Sequence, residues 1–441
     1  VVFNIKIERF AIKGDIIYSE TQEKFTCLED SFLVCIEGKV EGIYKVLPDC
    51  FMNILIKDYT GKLIIPGLID IHTHGPQYSF RGLGMDLELI DWLNENTFPE
   101  EGKFADALYG QRAYAIFAND LAKGATTRAC IYATVHKEAT KLLMDLLEQS
   151  GLKCMVGKVN MDRNCPDYLK EDMVESITNT REWIYETLHS YKNITPILTP
   201  RFFPSCTEPL LKELAALQKE FNLPLQSHLS ENISEIEWVK ELCPGAKNYG
   251  EAYDLSGVFG KNGSVVMAHC VQSPAEEIML MKENGVFIAH CPESNTNLSS
   301  GIAPIRTYLD HKMKVGLGTD MAAGSSNSIF KTMVMAVQVS KLRWRLVDTN
   351  LKPLTIEEAF YLGTKGGGAF FGKVGSFEKD YEFDALVIND KNIEHPGQLT
   401  LSQRLERVIY LSEDRHIAAK FVAGKNIFEG KSIFASKKSL L

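Results

Sequence analysis

Apolar and polar positions divide this chain into successive regimes. Residues 1–66 carry short apolar runs broken at turn residues: Phe32-Leu33-Val34-Cys35-Ile36 stops at Glu37-Gly38, and Lys62-Leu63-Ile64-Ile65 stops at Pro66-Gly67. Such runs predict strands. From 67 to 371 the pattern alternates, for example a helix-like stretch at 209–221, a strand-like run at 223–228 and a second helix-like stretch at 231–242. Alternation of this kind predicts an α/β fold with a parallel sheet, either a barrel or a doubly wound sheet. The tail returns to strand-like runs at 383–388, 407–410 and 418–422. The two terminal β regions, 1–66 and 372–441, are expected to meet in one small β-sandwich outside a 67–371 barrel unit.

Composition narrows the function classes. The 48 basic and 57 acidic side chains leave a net charge of −9, with no Lys/Arg block on any predicted helix. A nucleic-acid partner needs a concentrated basic footprint and is not expected. No apolar run approaches the roughly 18 residues of a membrane span, and the first 25 residues lack a basic-then-apolar leader pattern. The chain is therefore read as cytoplasmic and without a membrane partner. Its 10 cysteines lack any C-x-x-C spacing, which suits reduced, mostly buried thiols.

The chemistry gathers where apolar runs end. His72 and His74 close the run 63–71, and alternation along a strand points both imidazoles to one face. His228, His269 and Asp320 each close a later run. Barrel enzymes deliver their reactive groups from such strand ends into one mouth. Imidazoles with a carboxylate suit Zn2+, or alternatively Fe2+, and an open coordination position would activate water for hydrolysis. Glu231, three residues after His228, is placed for general acid/base work beside such an ion. Its plainer role is as a first-turn helix residue capped by Ser230.

The segment from Pro66 through His72-Thr73-His74 resembles the first-strand signature of the amidohydrolase superfamily. Gly75-Pro76-Gln77 to Gly82, Asp91-Trp92-Leu93, Thr97-Phe98-Pro99-Glu100-Glu101, Thr199-Pro200-Arg201-Phe202 and Ser227-His228-Leu229-Ser230-Glu231-Asn232 are similar, more narrowly, to the guanine deaminases within it. That resemblance implies a (β/α)8 barrel with an accessory β-sandwich, a homodimer, and one zinc or iron ion per subunit. It places the ligands on His72, His74, His228 and Asp320, with His269 beside the metal and Glu231 as proton shuttle. Gln77, Arg201 and Phe202 would face a purine, with His228, Glu231 and Asp320 also touching it.

The implied reaction converts guanine to xanthine and ammonia by attack of metal-bound hydroxide on C2. Glu231 protonates N3, while Asp320 moves the second proton. An Arg fork suits the O6 and N7 acceptors of guanine, and a Gln amide suits its mixed edge. His290, in His290-Cys291-Pro292-Glu293-Ser294-Asn295, is given a supporting role. His136, His189, His311, His395 and His416 are assigned to surface or structural positions. The rival readings are a related deaminase or chlorohydrolase acting on adenosine-like, cytosine or triazine rings, and a non-catalytic barrel scaffold.

Overall fold

The computed structural model describes residues 8–427, so 1–7 and 428–441 of the expected accessory unit lie outside the described residues. The first region forms β1 (Arg9–Thr21), β2 (Lys24–Ile36), β3 (Lys39–Tyr44) and β4 (Leu55–Pro66). The alternating region supplies β5 (Leu68–His74), β6 (Thr126–Tyr132), β7 (Lys153–Gly157), β8 (Val159–Asn160), β9 (Ile194–Pro196) and β10 (Thr199–Pro200). It continues with β11 (Leu225–Leu229), β12 (Val265–His269), β13 (Phe287–His290) and β14 (Lys314–Leu317), and the tail adds β15 (Ala385–Ile388), β16 (Ile417–Val422) and β17 (Lys425–Asn426).

Strands from the first region and from the tail share one seven-stranded mixed sheet ordered β17-β16-β15-β4-β1-β2-β3. Strand β15 runs antiparallel to β4, with Ala385 opposite Pro66 and Ile388 opposite Leu63, so the tail is anchored on the strand that leads into the alternating region. Phe10, Ile12, Leu33, Phe383 and Phe421 pack into its core. Phe10 meets Phe383 edge-on at 5.3 Å, an arrangement that aromatic quadrupoles favour.

Two local expectations are corrected. Residues 407–410 are not a strand but part of the helix Leu401–Leu411, opened by a Thr400/Gln403 capping box. The run Val408-Ile409 has strand chemistry, yet Leu401, Leu405, Val408 and Ile409 are buried together at helical spacing, and that longer period decides the element. The apolar run 63–71 is likewise two strands. It divides at Gly67, whose amide donates to the Asp384 carbonyl at 3.0 Å. A Cβ at Gly67 would lie 2.2 Å from Thr127 Oγ1, so a bare backbone is what lets the chain cross from β4 to β5.

Between these ends, parallel strands alternate with helices in two four-stranded sheets, β5-β6-β7-β9 and β11-β12-β13-β14. Every residue of β5, β6, β11, β12 and β13 is buried, as expected where helices cover parallel strands. The Leu198–Leu225 bridge and the Gln226 amide to the Leu198 carbonyl at 2.9 Å join the sheets on one side. On the other side, the Asp320 amide donates to the His72 carbonyl at 2.9 Å.

Polar ties lock the mixed sheet to the N-terminal ends of these strands. Arg128 on β6 donates through Nε to Asp384 Oδ2 at 2.6 Å and through Nη2 to Glu382 Oε2 at 2.5 Å. Lys153 Nζ also reaches Glu382, at 2.8 Å. Lys420 on β16 is fully buried, and its ammonium donates to the carbonyls of Leu121, Gly124 and Thr126 at 3.3, 2.8 and 2.7 Å.

Candidate active site

The opposite, C-terminal ends of the parallel strands carry the chemistry. His72 and His74 end β5, His228 lies at the penultimate position of β11, His269 ends β12, and Asp320 follows β14. Gly318 permits this convergence, because a Cβ there would meet Cys291 Sγ and the His72 Cβ at 2.8 Å. His269, Asp320 and Ser230 hold φ of 73°, 47° and 46°. Left-handed backbone at non-glycine residues costs free energy and tends to cluster at functional sites.

The side chains form one compact group. Asp320 Oδ1 lies 3.1 Å from His72 Nε2 and 3.2 Å from His74 Nε2, and the Nε2 atoms of His74 and His228 face each other at 3.4 Å. His228 Nδ1 donates to the Arg201 carbonyl at 2.5 Å, which leaves a lone pair on Nε2. His269 Nδ1 is fixed in the same way by Asn295 Oδ1 at 2.8 Å, so its Nε2 is turned toward Glu231 Oε2 at 3.4 Å and Asp320 Oδ2 at 3.8 Å. Tyr132 stands against the group, its ring 5.0, 4.5 and 5.0 Å from those of His72, His74 and His228.

Electrostatics sharpen the arrangement. Burial lowers the imidazoles of His72 and His228 and takes His74 down to about 3, so all are neutral near pH 7 and free to bind a cation. Burial opposes the charge on Asp320, yet contacts with His72 and His74 hold its carboxyl well below the usual range. Glu231 goes the other way. Burial, followed by the nearby Asp320 charge, pushes it well above the ordinary carboxylate value, which equips it to give up a proton. Two carboxylates in one site whose pKa values are pushed in opposite directions are a recurrent acid/base device.

A divalent ion fits this donor set. The buried Nε2 atoms of His72 and His269 and Nδ1 of His74 have no hydrogen-bond partner, and buried polar atoms rarely stay unpaired without a functional reason. His72, His74 and Asp320 offer ligand atoms within 4.8 Å of one another, as do His72, His228 and His269. His290 likewise leaves both ring nitrogens without a partner, but it lies outside both ligand groups, and burial lowers its pKa to about 4.

The cavity beside this cluster is lined by His74, Gln77, Arg201, Phe202, His228, Glu231 and Asp320, with Leu89, Trp92, Leu93 and Leu298 supplying apolar walls. Apolar walls with a few convergent polar groups are the usual make-up of a small-molecule site. Every residue singled out from the sequence for metal or substrate contact is thus in or beside one cavity. The helix after Glu231 begins later than expected: Asn232, not Ser230, caps Ile233–Leu242, with Glu235 completing a capping box. Ser230 Oγ instead donates to Glu277 Oε1 at 2.7 Å.

Other contributors carried signals that went unassigned. Trp92 and Glu101 lie in quoted motifs, and Asn295 follows His290 in its own. Tyr132, ending the buried strand β6, had no local mark.

Comparison with known proteins supplies the context. The amidohydrolase family profile matches residues 63–427. Guanine deaminase of Rattus norvegicus is 39% identical over 393 residues, covering 86% of each chain. Guanine deaminase of Escherichia coli (strain K12) is 33% identical over 419 residues, covering 91% of this chain and 92% of its own. A crystal structure of guanine deaminase from C. acetobutylicum with bound guanine in the active site superposes with a TM-score of 0.93 at 47% identity, covering 95% of this chain and all of that one.

Proposed function

This chain belongs to the amidohydrolase family, among the guanine deaminases, and on that premise we propose how its cavity works. The enzyme hydrolyses guanine to xanthine and ammonia. The observation that carries the mechanism is the meeting, in or beside one cavity, of His72, His74, His228 and Asp320 with Glu231, whose pKa burial raises, and with Gln77 and Arg201. Those three imidazoles and Asp320 would hold a single divalent ion, with zinc the expected metal. When bound, the ion supplies the Lewis acidity that makes water nucleophilic near neutral pH.

The chain's own residues do the rest. Arg201 and Gln77 orient the purine by its hydrogen-bonding edges, and Phe202 forms a wall against the ring. Glu231 hands its proton to ring N3 as C2 is attacked. Asp320 accepts a proton from the attacking water and passes it to the amino group, which leaves as ammonia, while the remaining hydroxyl proton returns to Glu231 as the C2 carbonyl of xanthine forms. His269, steadied by Asn295, keeps Nε2 on Glu231 and Asp320 and supports the charge that builds at the tetrahedral carbon.

The reading extends to the architecture: the two parallel sheets close as an eight-stranded barrel over 67–371, and 1–66 with 372–441 form an accessory β-sandwich. The enzyme works as a cytoplasmic homodimer with one ion per subunit. The test is a guanine-to-xanthine absorbance assay with metal analysis on the same sample. Turnover proportional to bound zinc supports the mechanism, and a fully zinc-loaded protein that releases no ammonia overturns it.

A further inference from the structure

Glu101 lies in the short helix Phe98–Gly102 and is 1% exposed, although nothing in a helix turn requires a buried carboxylate there. Both its oxygens are occupied. Arg201 Nη1 donates to Oε1 at 2.9 Å and to Oε2 at 2.7 Å, and Gln77 Nε2 donates to Oε1 at 3.1 Å. The same helix turns the Phe98 ring under the guanidinium, 5.4 Å from its carbon. The other end of the Gln77 amide is also committed, since its Oε1 accepts the Ala322 amide at 3.3 Å.

Two consequences follow for recognition. First, the amide of Gln77 is fixed at both ends, so the N–H and lone pair it has left for a ligand are set in advance. Second, the guanidinium gives Nη1 to Glu101 and keeps Nε and Nη2 without a protein hydrogen bond among the described residues. The pairing also neutralises Arg201 inside the cavity, so a neutral ring can enter without an unpaired buried cation beside it. We infer that Glu101 is a positioning residue which aligns Arg201 and Gln77 for the purine. The inference rests on the guanine reading above. It assigns Glu101 no contact with the reacting atoms.

Steady-state kinetics on metal-loaded wild type, Glu101→Gln, Glu101→Asp, Arg201→Gln and the Glu101→Gln/Arg201→Gln double variant test it, with guanine as substrate. Losing one charge-assisted bond to Arg201 is expected to raise KM by about tenfold or more, while kcat falls by less. Glu101→Asp keeps the negative charge, and with it a foldable cavity, but shortens the reach, so its KM rises by less. Because Glu101 acts largely through Arg201, adding Glu101→Gln to Arg201→Gln raises KM little further. Unchanged KM in both single Glu101 variants, or fully additive losses in the double variant, overturns the inference while leaving the guanine reading intact. An inactive, zinc-loaded wild type overturns that reading and the inference with it.

Discussion

Strand β6 runs between two buried polar clusters of opposite character. At its start Arg128 joins Asp384, Glu382 and Lys153, and Lys420 nearby spends its ammonium on backbone carbonyls. At its end Tyr132 packs on the imidazoles around Asp320. The first cluster is satisfied: no atom of Arg128, Lys153, Glu382, Asp384 or Lys420 is a buried polar atom without a partner. The second leaves His72, His74 and His269 nitrogens unpaired and holds a carboxyl far from its ordinary titration. Both clusters pay the desolvation of buried polar groups. Only the satisfied one recovers it within the protein, which marks it as structural, while the other stays ready for a cation and a substrate.

The largest effect that would break this comparison is at Glu231. Removing a positioned proton donor costs roughly 10²–10⁴-fold in rate, so Glu231→Gln is expected to lose that much kcat. Its melting temperature should hold, because Gln keeps the size and an accepting oxygen of Glu231 while removing a charge that burial disfavours. Xanthine formation and a thermal melt on one preparation read both. A variant that unfolds with its activity would show that the mouth carries stability as well.

Arg128→Met is the mirror experiment and the next largest effect. It leaves Asp384, itself 1% exposed, buried without its cation. Breaking a buried pair from one side typically costs about 3–5 kcal/mol. Denaturant unfolding should show that loss, while kcat per folded molecule stays near wild type, since Arg128 lies at the far end of β6 from the cavity. A matching loss of kcat would erase the distinction between the ends.

How much of this was legible in the chain differs between the same two clusters. The strand-end places of His72, His74, His228 and His269 could be read because each closes a sharply bounded apolar run, and parallel strands buried on both faces produce such runs. The satisfied cluster could not be read. Arg128 and Asp384 are 256 positions apart, and a long-range pair leaves no local period. The contact between Glu101 and Arg201, 100 positions apart, was hidden for the same reason. The misread segment 407–410 fails differently. Four residues cannot separate strand from helix, and the deciding burial of Leu401 and Leu405 lies outside that window.

Glu235 sharpens the comparison because it mixes both characters. Its carboxylate is fully used, accepting the Glu231 amide at 3.0 Å and the Tyr249 hydroxyl at 2.8 Å, and Tyr249 in turn accepts the Phe203 amide at 3.3 Å. Yet burial, then the proximity of Glu231, raises its pKa from 4.5 to about 7. Between those values the folded protein keeps a proton that the unfolded chain has released. This group's contribution to stability is therefore fully present below the unfolded value and is lost as pH rises through about 7. Glu235→Gln removes the titration while keeping a carbonyl for the Glu231 amide. The difference in melting temperature, wild type minus variant, should thus shrink steadily between about pH 5 and pH 8, with effects common to both proteins cancelling. A difference that stays flat over that range would place Glu235 with the satisfied cluster.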